Sequence, residues 1–193
     1  MEILKRNSFR IRLVFSILLG AVGLAAIVFL SVNVARDLRL LNSASSDNVQ
    51  WTLSQTEVEF LEFEMLLVTS SHSPVPDLRS VRREFDIFYS RIQTLDQASI
   101  YGPARELPEF SSNLSTLQDF LNRTVGTIDA SDAVLGAALP KLMQEAFEVR
   151  SNVRRLSNSG LNYFANESDR RRNNVSVTLT QMATGVTVLM LAL

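Results

Sequence analysis

Two uncharged, largely apolar segments lie near opposite ends of this 193-residue chain and constrain its fold more than any other feature. The first covers residues 13–35 and the second covers 174–193, and neither contains Asp, Glu, Lys or Arg. A helix of either length measures roughly 30 Å, which matches the hydrocarbon thickness of a bilayer. We therefore predict two transmembrane helices. Because the second segment is still becoming more apolar at Leu193, we expect the polypeptide to continue beyond it.

The flanking charges predict how the chain would be oriented. Residues 1–12 contain four basic side chains and one acidic one, whereas Arg36 and Arg39 are the basic residues that closely follow the first segment. Cytoplasmic flanks of membrane helices are enriched in Lys and Arg. This pattern predicts a bacterial inner-membrane protein with a cytoplasmic N-terminal tail and a periplasmic domain of residues 36–173. The arginine run 170–172 disagrees with that orientation, since it adjoins the second segment on the outer side.

Composition excludes several kinds of chemistry. The chain has no cysteine and a single histidine, His72, so it cannot contain a disulfide framework, a thiolate nucleophile or a Cys/His zinc centre. His72 also lacks the acidic neighbour that normally follows a phosphoacceptor histidine. Residues 36–173 carry 15 basic and 19 acidic side chains, which argues against a nucleic-acid partner. We predict that this chain is not an enzyme and binds no metal or cofactor.

Hydrophobic spacing predicts an all-α domain between the two apolar segments. Apolar residues recur at intervals of three and four, and no stretch alternates with the period of a strand. The expected helices cover 36–69, 77–97, 108–128 and 140–173, which suits an antiparallel four-helix bundle on a membrane-proximal two-helix stalk. Pro140 should mark either a kink or the true start of the fourth helix, because proline disfavours helix interiors.

The first predicted helix carries two separate apolar seams. One seam consists of Val49, Leu53, Thr56, Phe60, Phe63 and Leu67. The other consists of Trp51, Val58, Leu61, Met65 and Val68. A helix in a monomeric bundle needs one broad apolar stripe, so a second seam suggests a homodimer interface. The alternative is that both seams face the other helices of the same chain.

A ligand site, if present, is expected where cationic and aromatic side chains collect around the second predicted helix. The candidates are Arg82, Arg83, Tyr89, Arg91 and Tyr101. Guanidinium groups between helices could bind a small anion. The alternative is that these arginines form ion pairs with Glu84, Asp86 or glutamates of the first helix.

Two sequence runs resemble a known family. Residues 46–59 (SDNVQWTLSQTEVE) and 83–91 (REFDIFYSR) look like the N-terminal input region of alphaproteobacterial membrane-bound sensor histidine kinases, often hybrid kinases with a receiver domain. The resemblance extends over most of residues 35–193. It implies a sensory input module that acts as a homodimer in two-component signalling, and it carries over no catalytic residue to this chain.

This resemblance predicts that a small molecule or a periplasmic protein is sensed in the outer domain, and that the first and fourth helices relay the change to output domains outside this chain. The same input architecture also serves diguanylate cyclases and chemoreceptors. A different possibility is a two-pass membrane scaffold that binds a partner protein and transmits nothing.

Overall fold

The protein is all-helical in the computed structural model, which describes residues 14, 18, 20–36 and 45–192. No strand occurs among these residues, so the predicted all-α class is confirmed. Residues 14, 18 and 20–36 are helical, and we call this helix α1. The elements that follow are α2 (Ser45–Ser71), α3 (Leu78–Gln97), the 3-10 turn η1 (Ser99–Tyr101), α4 (Gly102–Arg105), α5 (Pro108–Ile128) and α6 (Asp132–Ala192).

Residues that favour the start of a helix lie at the beginnings of α3 and α5. Asp77 precedes α3, and its side chain accepts a hydrogen bond of 3.1 Å from the backbone N–H of Ser80. Hydrogen bonds from the side chain and the backbone of Ser80 lower the pKa of the Asp77 carboxyl. Pro108 is the first residue of α5, where its missing N–H is not needed.

The last helix does not start at Pro140, which was one of the two possibilities predicted for this proline. Helix α6 begins at Asp132, so Pro140 lies inside the helix and does not start it. The helix can begin earlier because Ser131 precedes it, and the Ser131 carbonyl accepts a bond of 2.9 Å from the N–H of Leu135. Pro140 is exposed, so its ring faces away from the core. The predicted boundary at 140 is therefore wrong by two helical turns.

A single hydrophobic core is formed by α2, α3, α5 and the first part of α6. The first predicted seam of α2 is wholly buried, with Leu53, Phe60 and Phe63 each 0% exposed. The Phe60 and Phe88 ring centroids are 5.1 Å apart, and those of Phe63 and Phe85 are 5.6 Å apart. Paired aromatic rings of this kind contribute large apolar burial between adjacent helices.

The connection between α3 and α5 is more ordered than the sequence predicts. No helix is predicted between residues 97 and 108, yet this segment forms η1 and the short helix α4. Arg105 stabilises this connection, because its Nη1 donates to the carbonyls of Leu95 at 2.9 Å and Ala98 at 3.0 Å. The Leu95 carbonyl lies in the last turn of α3, and the Ala98 carbonyl, at the C-cap of α3, also accepts a bond of 3.1 Å from the N–H of Tyr101.

The chain divides into two compact units. Residues 44–165 form one unit, which we call the body, and it contains the core just described. The other unit includes α1 and the part of α6 from Asn166 onward, with Val34 and Val175 buried. The polar segment 42–48 of the predicted stalk begins at residues outside those that the structure describes.

The expected membrane location is contradicted. Within the described residues, no helix combines the length and the apolar character needed to cross a bilayer. Thr178, Gln181 and Thr184 interrupt the apolar stretch of α6. Residues 13, 15–17 and 19 of the first predicted span, and Leu193 of the second, lie outside the described residues. The assignment to the bacterial inner membrane, with a periplasmic domain, is therefore wrong.

Candidate functional site

Arg82, which was predicted to bind an anion, donates hydrogen bonds to backbone carbonyls of its own chain. Its Nε donates to the Ile128 carbonyl at 2.9 Å, and its Nη2 donates to the Ala130 carbonyl at 2.8 Å. Its Nη1 lies 2.8 Å from the Asp132 carboxylate. Arg82 thus ties α3 to the turn that joins α5 and α6, and it has the bonding pattern of a structural residue.

Arg83 and Arg91 are also paired within the chain. Arg83 lies 2.8 Å from the Glu84 carboxylate, and Arg91 forms a two-pronged ion pair with Glu59 on α2, with one bond of 2.9 Å. The bond with Glu59 raises the pKa of Arg91. The guanidinium of Arg91 also lies 5.3 Å from the centre of the Trp51 ring, at cation–π distance. Arg91 therefore links α3 to α2.

The two tyrosines of the predicted ligand set pack against aromatic rings. Tyr89 is half-buried beside Phe85, with ring centroids 6.0 Å apart. Tyr101 is buried, and its ring meets that of Phe164 edge-on at 6.1 Å. Burial raises the pKa of the Tyr101 hydroxyl. These contacts place both tyrosines in the packing of the body. A role of either tyrosine in ligand binding stays a prediction.

What remains of the predicted anion site is a shallow groove along the outer face of α3. It has a volume of about 590 Å³ and is lined by Arg79, Arg82, Arg83, Asp86, Ile87, Ser90, Arg91 and Thr94. All of these residues belong to α3, so no second element closes over the groove. Arg82, Arg83 and Arg91 already have partners within the chain, and anion binding in this groove stays a prediction.

The second predicted seam of α2 lies on the surface of the body. We call Trp51, Val58, Leu61, Met65 and Val68 the outer strip. Trp51 is 55% exposed, Val58 43% and Met65 61%, whereas Leu61 and Val68 are half-buried. Trp51, Val58 and Met65 are thus largely open to solvent, whereas Leu61 and Val68 are partly covered by the chain itself. Whether a second copy covers the outer strip stays a prediction.

A groove beside the outer strip separates α2 from α6. It has a volume of about 330 Å³ and is lined by Glu57, Leu61, Phe147, Arg150, Ser151 and Arg154. Phe147 is 46% exposed and extends the apolar surface of the strip onto α6. Arg154 has no hydrogen bond or ion pair with any residue of the described chain, so its guanidinium is available to an outside carboxylate.

Glu64 is a buried carboxylate at the same junction of α2 and α6. Its side chain is 6% exposed, and its Oε2 lies 3.5 Å from Nε of Arg150. Its other oxygen, Oε1, is buried without a hydrogen-bond partner, as is the hydroxyl of Ser157 on α6. Burial raises the pKa of Glu64, and the charge of Arg150 partly opposes this shift.

No role was predicted for Phe147, Arg150 and Arg154, because the apolar stripe of the last helix indicates only its core face. Phe147 offered a signal, since it is the aromatic residue that lies off the stripe formed by Leu142, Ala146, Val149 and Val153. His72 lies in an exposed turn as predicted, where its Nδ1 is 2.8 Å from the Val68 carbonyl.

The described residues include no group of three or more His, Cys, Asp or Glu side chains that could hold a metal ion. Comparisons with protein-family models, with curated proteins and with solved structures find no match for this chain.

Proposed function

We propose that this chain is the sensory input module of a signalling protein of the sensor histidine kinase type. In this proposal the body receives the stimulus, and α6 carries the resulting displacement to the output part of the protein. The feature that carries the proposal is α6 itself, a single helix from Asp132 to Ala192 that belongs to both compact units. The resemblance of residues 46–59 and 83–91 to kinase input regions agrees with it.

We further propose that the body is an antiparallel four-helix bundle of α2, α3, α5 and the first part of α6. Its core draws on all four helices, and the connections between successive helices are short. Bundles of this kind place ligand sites and moving helices within one compact unit. A helix that enters the bundle and continues beyond it can therefore pass a shift from one end to the other.

The packing of α6 against the body supports such a shift. The two buried side-chain atoms without hydrogen-bond partners in the described chain are Oε1 of Glu64, which faces α6, and the hydroxyl of Ser157, which lies on α6. Leaving a buried polar group unpaired costs about 1–3 kcal/mol. A displacement of α6 that gave either atom a hydrogen-bond partner would recover part of this cost, and this supports the proposal that α6 moves.

Gly160 shows how closely α6 approaches the rest of the body. A Cβ added there would lie 2.7 Å from one methyl carbon of Leu53 and 3.1 Å from the ring of Phe110. Because glycine has no side chain, it allows this approach without interlocking with either neighbour. The contact is close enough to transmit a movement of α2 to α6.

A helix-phase experiment tests the relay without knowledge of the stimulus. The whole chain is fused to the catalytic portion of a characterised histidine kinase, and one to four alanines are inserted after Ala165. Each insertion rotates the downstream helix by about 100° relative to the body. We expect autophosphorylation to vary with this angle, with two insertions differing most from the parent and four insertions differing least.

The matched control carries Phe60→Asp, which disrupts the fully buried core of the body, together with the same insertions. If the body governs the output, the angular dependence disappears in this background. An output that is unchanged by the insertions in the intact chain contradicts the relay and favours a scaffold. An angular dependence that persists in the Phe60→Asp background also contradicts it, because the dependence then belongs to the kinase portion.

A further inference from the structure

The groove between α2 and α6 is formed by both helices. Its lining residues are Glu57 and Leu61 on α2, and Phe147, Arg150, Ser151 and Arg154 on α6. The residues of α6 have the spacing of one helix face, as do the two residues of α2. The groove has a volume of about 330 Å³, which lies at the lower end of the range of about 300–1,000 Å³ for small-molecule sites. It therefore has room for one small ligand.

The two helices run antiparallel along this groove. Leu53 of α2 lies against Gly160 of α6, where an added Cβ would be 2.7 Å from a methyl carbon of the leucine. Further along α2, Glu64 lies 3.5 Å from Arg150, which precedes Gly160 in the chain. The groove residues of the two helices are therefore matched in opposite chain order.

This order gives the groove a charged end and an apolar end. Glu57 of α2 is level with Arg154 of α6 at the charged end, and Leu61 is level with Phe147 at the apolar end. Phe147 is 46% exposed and Leu61 is half-buried. An apolar group bound there would remove apolar surface from water, which favours binding.

Glu57 and Arg154 carry opposite charges, yet they do not pair with each other. Neither side chain has a hydrogen bond or an ion pair with any residue that the structure describes. Arg150, the other cation of the groove, is held by the carboxylate of Glu64. The charged end thus offers one carboxylate and one guanidinium. A purely anionic ligand would be repelled by Glu57 and a purely cationic one by Arg154, so the end favours a ligand that carries both charges.

We propose that this groove binds a free α-amino acid with an apolar or aromatic side chain. The carboxylate of the ligand pairs with Arg154, its ammonium group pairs with Glu57, and its side chain lies between Leu61 and Phe147. Both charges of an α-amino acid are attached to the same carbon atom, so one molecule can bridge a carboxylate and a guanidinium that do not reach each other. Hydrogen bonds between charged groups are roughly twice as strong as neutral ones.

The signalling consequence of this binding rests on the proposed function, whereas the binding itself does not. If the body receives the stimulus of an input module, the amino acid is that stimulus. An absence of binding, together with an output that varies with the alanine insertions, rejects the ligand and keeps the relay. Binding together with an output that the insertions leave unchanged rejects the relay and keeps the ligand.

A ligand-observed NMR titration of the complete chain with L-phenylalanine tests the site. For a small ligand in an open groove we expect a Kd of about 0.1–1 mM. 3-Phenylpropionate lacks the ammonium group and 2-phenylethylamine lacks the carboxylate, so each should bind at least about tenfold more weakly. Glycine keeps both charges but lacks the apolar side chain, and it should also bind at least about tenfold more weakly.

Two substitutions test how the ligand is oriented. Arg154→Met should weaken the binding of L-phenylalanine at least about tenfold, because the carboxylate loses its partner. Glu57→Gln should weaken L-phenylalanine by a similar factor but strengthen 3-phenylpropionate, because the charge that repels its carboxylate is removed. Arg155→Met and Glu62→Gln, at exposed positions of the same helices outside the groove, are the matched controls and should leave binding unchanged.

Three results would overturn the proposal. An absence of binding at about 10 mM L-phenylalanine, which saturates a site of the expected affinity, rejects the site. Equal binding of 3-phenylpropionate and L-phenylalanine rejects the role of Glu57 and indicates a simple carboxylate site. Binding that neither Arg154→Met nor Glu57→Gln weakens shows that the ligand lies elsewhere on the chain. Circular dichroism of each variant establishes that its helix content equals that of the parent, so that a loss of binding is not a loss of folding.

Discussion

Replacement of Arg82 by methionine separates a structural role from a ligand-binding one. Arg82 is two-thirds buried, since 30% of its side chain is exposed, and it bonds the carbonyls of Ile128 and Ala130 as well as the Asp132 carboxylate. Methionine keeps the length and the apolar character of the side chain but removes every donor. The loop between α5 and α6 then loses its connection to α3.

The expected loss of stability follows from the partners. Ile128 is 0% exposed, so its carbonyl loses a bond that water cannot readily replace, whereas Asp132 has a side chain that is 78% exposed. A hydrogen bond with a charged donor contributes about 1.5–3 kcal/mol, and an exposed ion pair contributes about 0–1 kcal/mol. Ala130 is half-buried, so water can replace much of the bond to its carbonyl. Counting the Ile128 bond in full and the other two at about 0–1 kcal/mol together, we expect Arg82→Met to lower the free energy of unfolding by about 2–4 kcal/mol.

Urea denaturation followed by circular dichroism measures this change. Arg79→Met, on the exposed face of the same helix, is the matched control and should change stability by less than about 0.5 kcal/mol. Asp132→Asn isolates the exposed ion pair and should cost about 1 kcal/mol or less. If Arg82→Met is no more destabilising than Arg79→Met, the structural role of Arg82 is refuted. The result would then favour the anion-binding role that the sequence predicts for Arg82.

Three further changes test the packing of the body, each by urea denaturation. Gly160→Ala should destabilise the protein by about 1–3 kcal/mol, because the added Cβ would lie 2.7 Å from a methyl carbon of Leu53. Gly126→Ala is the control and should be neutral or stabilising, because nothing lies within 4 Å of a Cβ added there. Equal effects of the two substitutions would contradict the close contact at Gly160. Phe60→Ala should cost about 3–5 kcal/mol, and a loss below 1 kcal/mol would contradict its burial. Folding raises the pKa of Glu64, so the folded state favours the protonated carboxyl. The resulting stabilisation is fully present at pH values below the ordinary pKa of 4.5, and it is lost as the pH rises through the pKa of the folded state. Glu64→Gln should therefore gain stability relative to the parent between acidic and neutral pH, and a difference that does not change with pH would contradict the shift.

The helical class and most of the core could be predicted from residue spacing alone. The stripes that include Phe85, Phe88 and Ile92 on α3, and Leu117 and Leu121 on α5, repeat every three or four residues, and all five residues are buried. Such periodicity is a local property of one helix, so it is readable without knowledge of the neighbours. The bounds of α3 and α5 were equally accessible, because capping and proline signals are also local.

The roles of the candidate ligand residues could not be predicted from residue spacing. Arg82 lies 46 to 50 positions before its partners in the chain, and Arg91 lies 32 positions after Glu59. An arginine has the same appearance in a sequence whether it binds a ligand or a distant carboxylate. Long-range pairing is decided by how the helices are placed, which a pattern within one helix does not contain.

The sequence by itself determined that α2 has two apolar seams, because heptad and core spacings are both visible within its residues. Only the tertiary structure decided which seam is buried, since that depends on the side from which α3 and α6 approach. It also brought Phe147 and Arg154 of α6 beside Leu61 of α2, across more than 80 positions of sequence. The physical reason is that periodicity reports the faces of one helix, whereas a surface that combines two helices exists only after they pack.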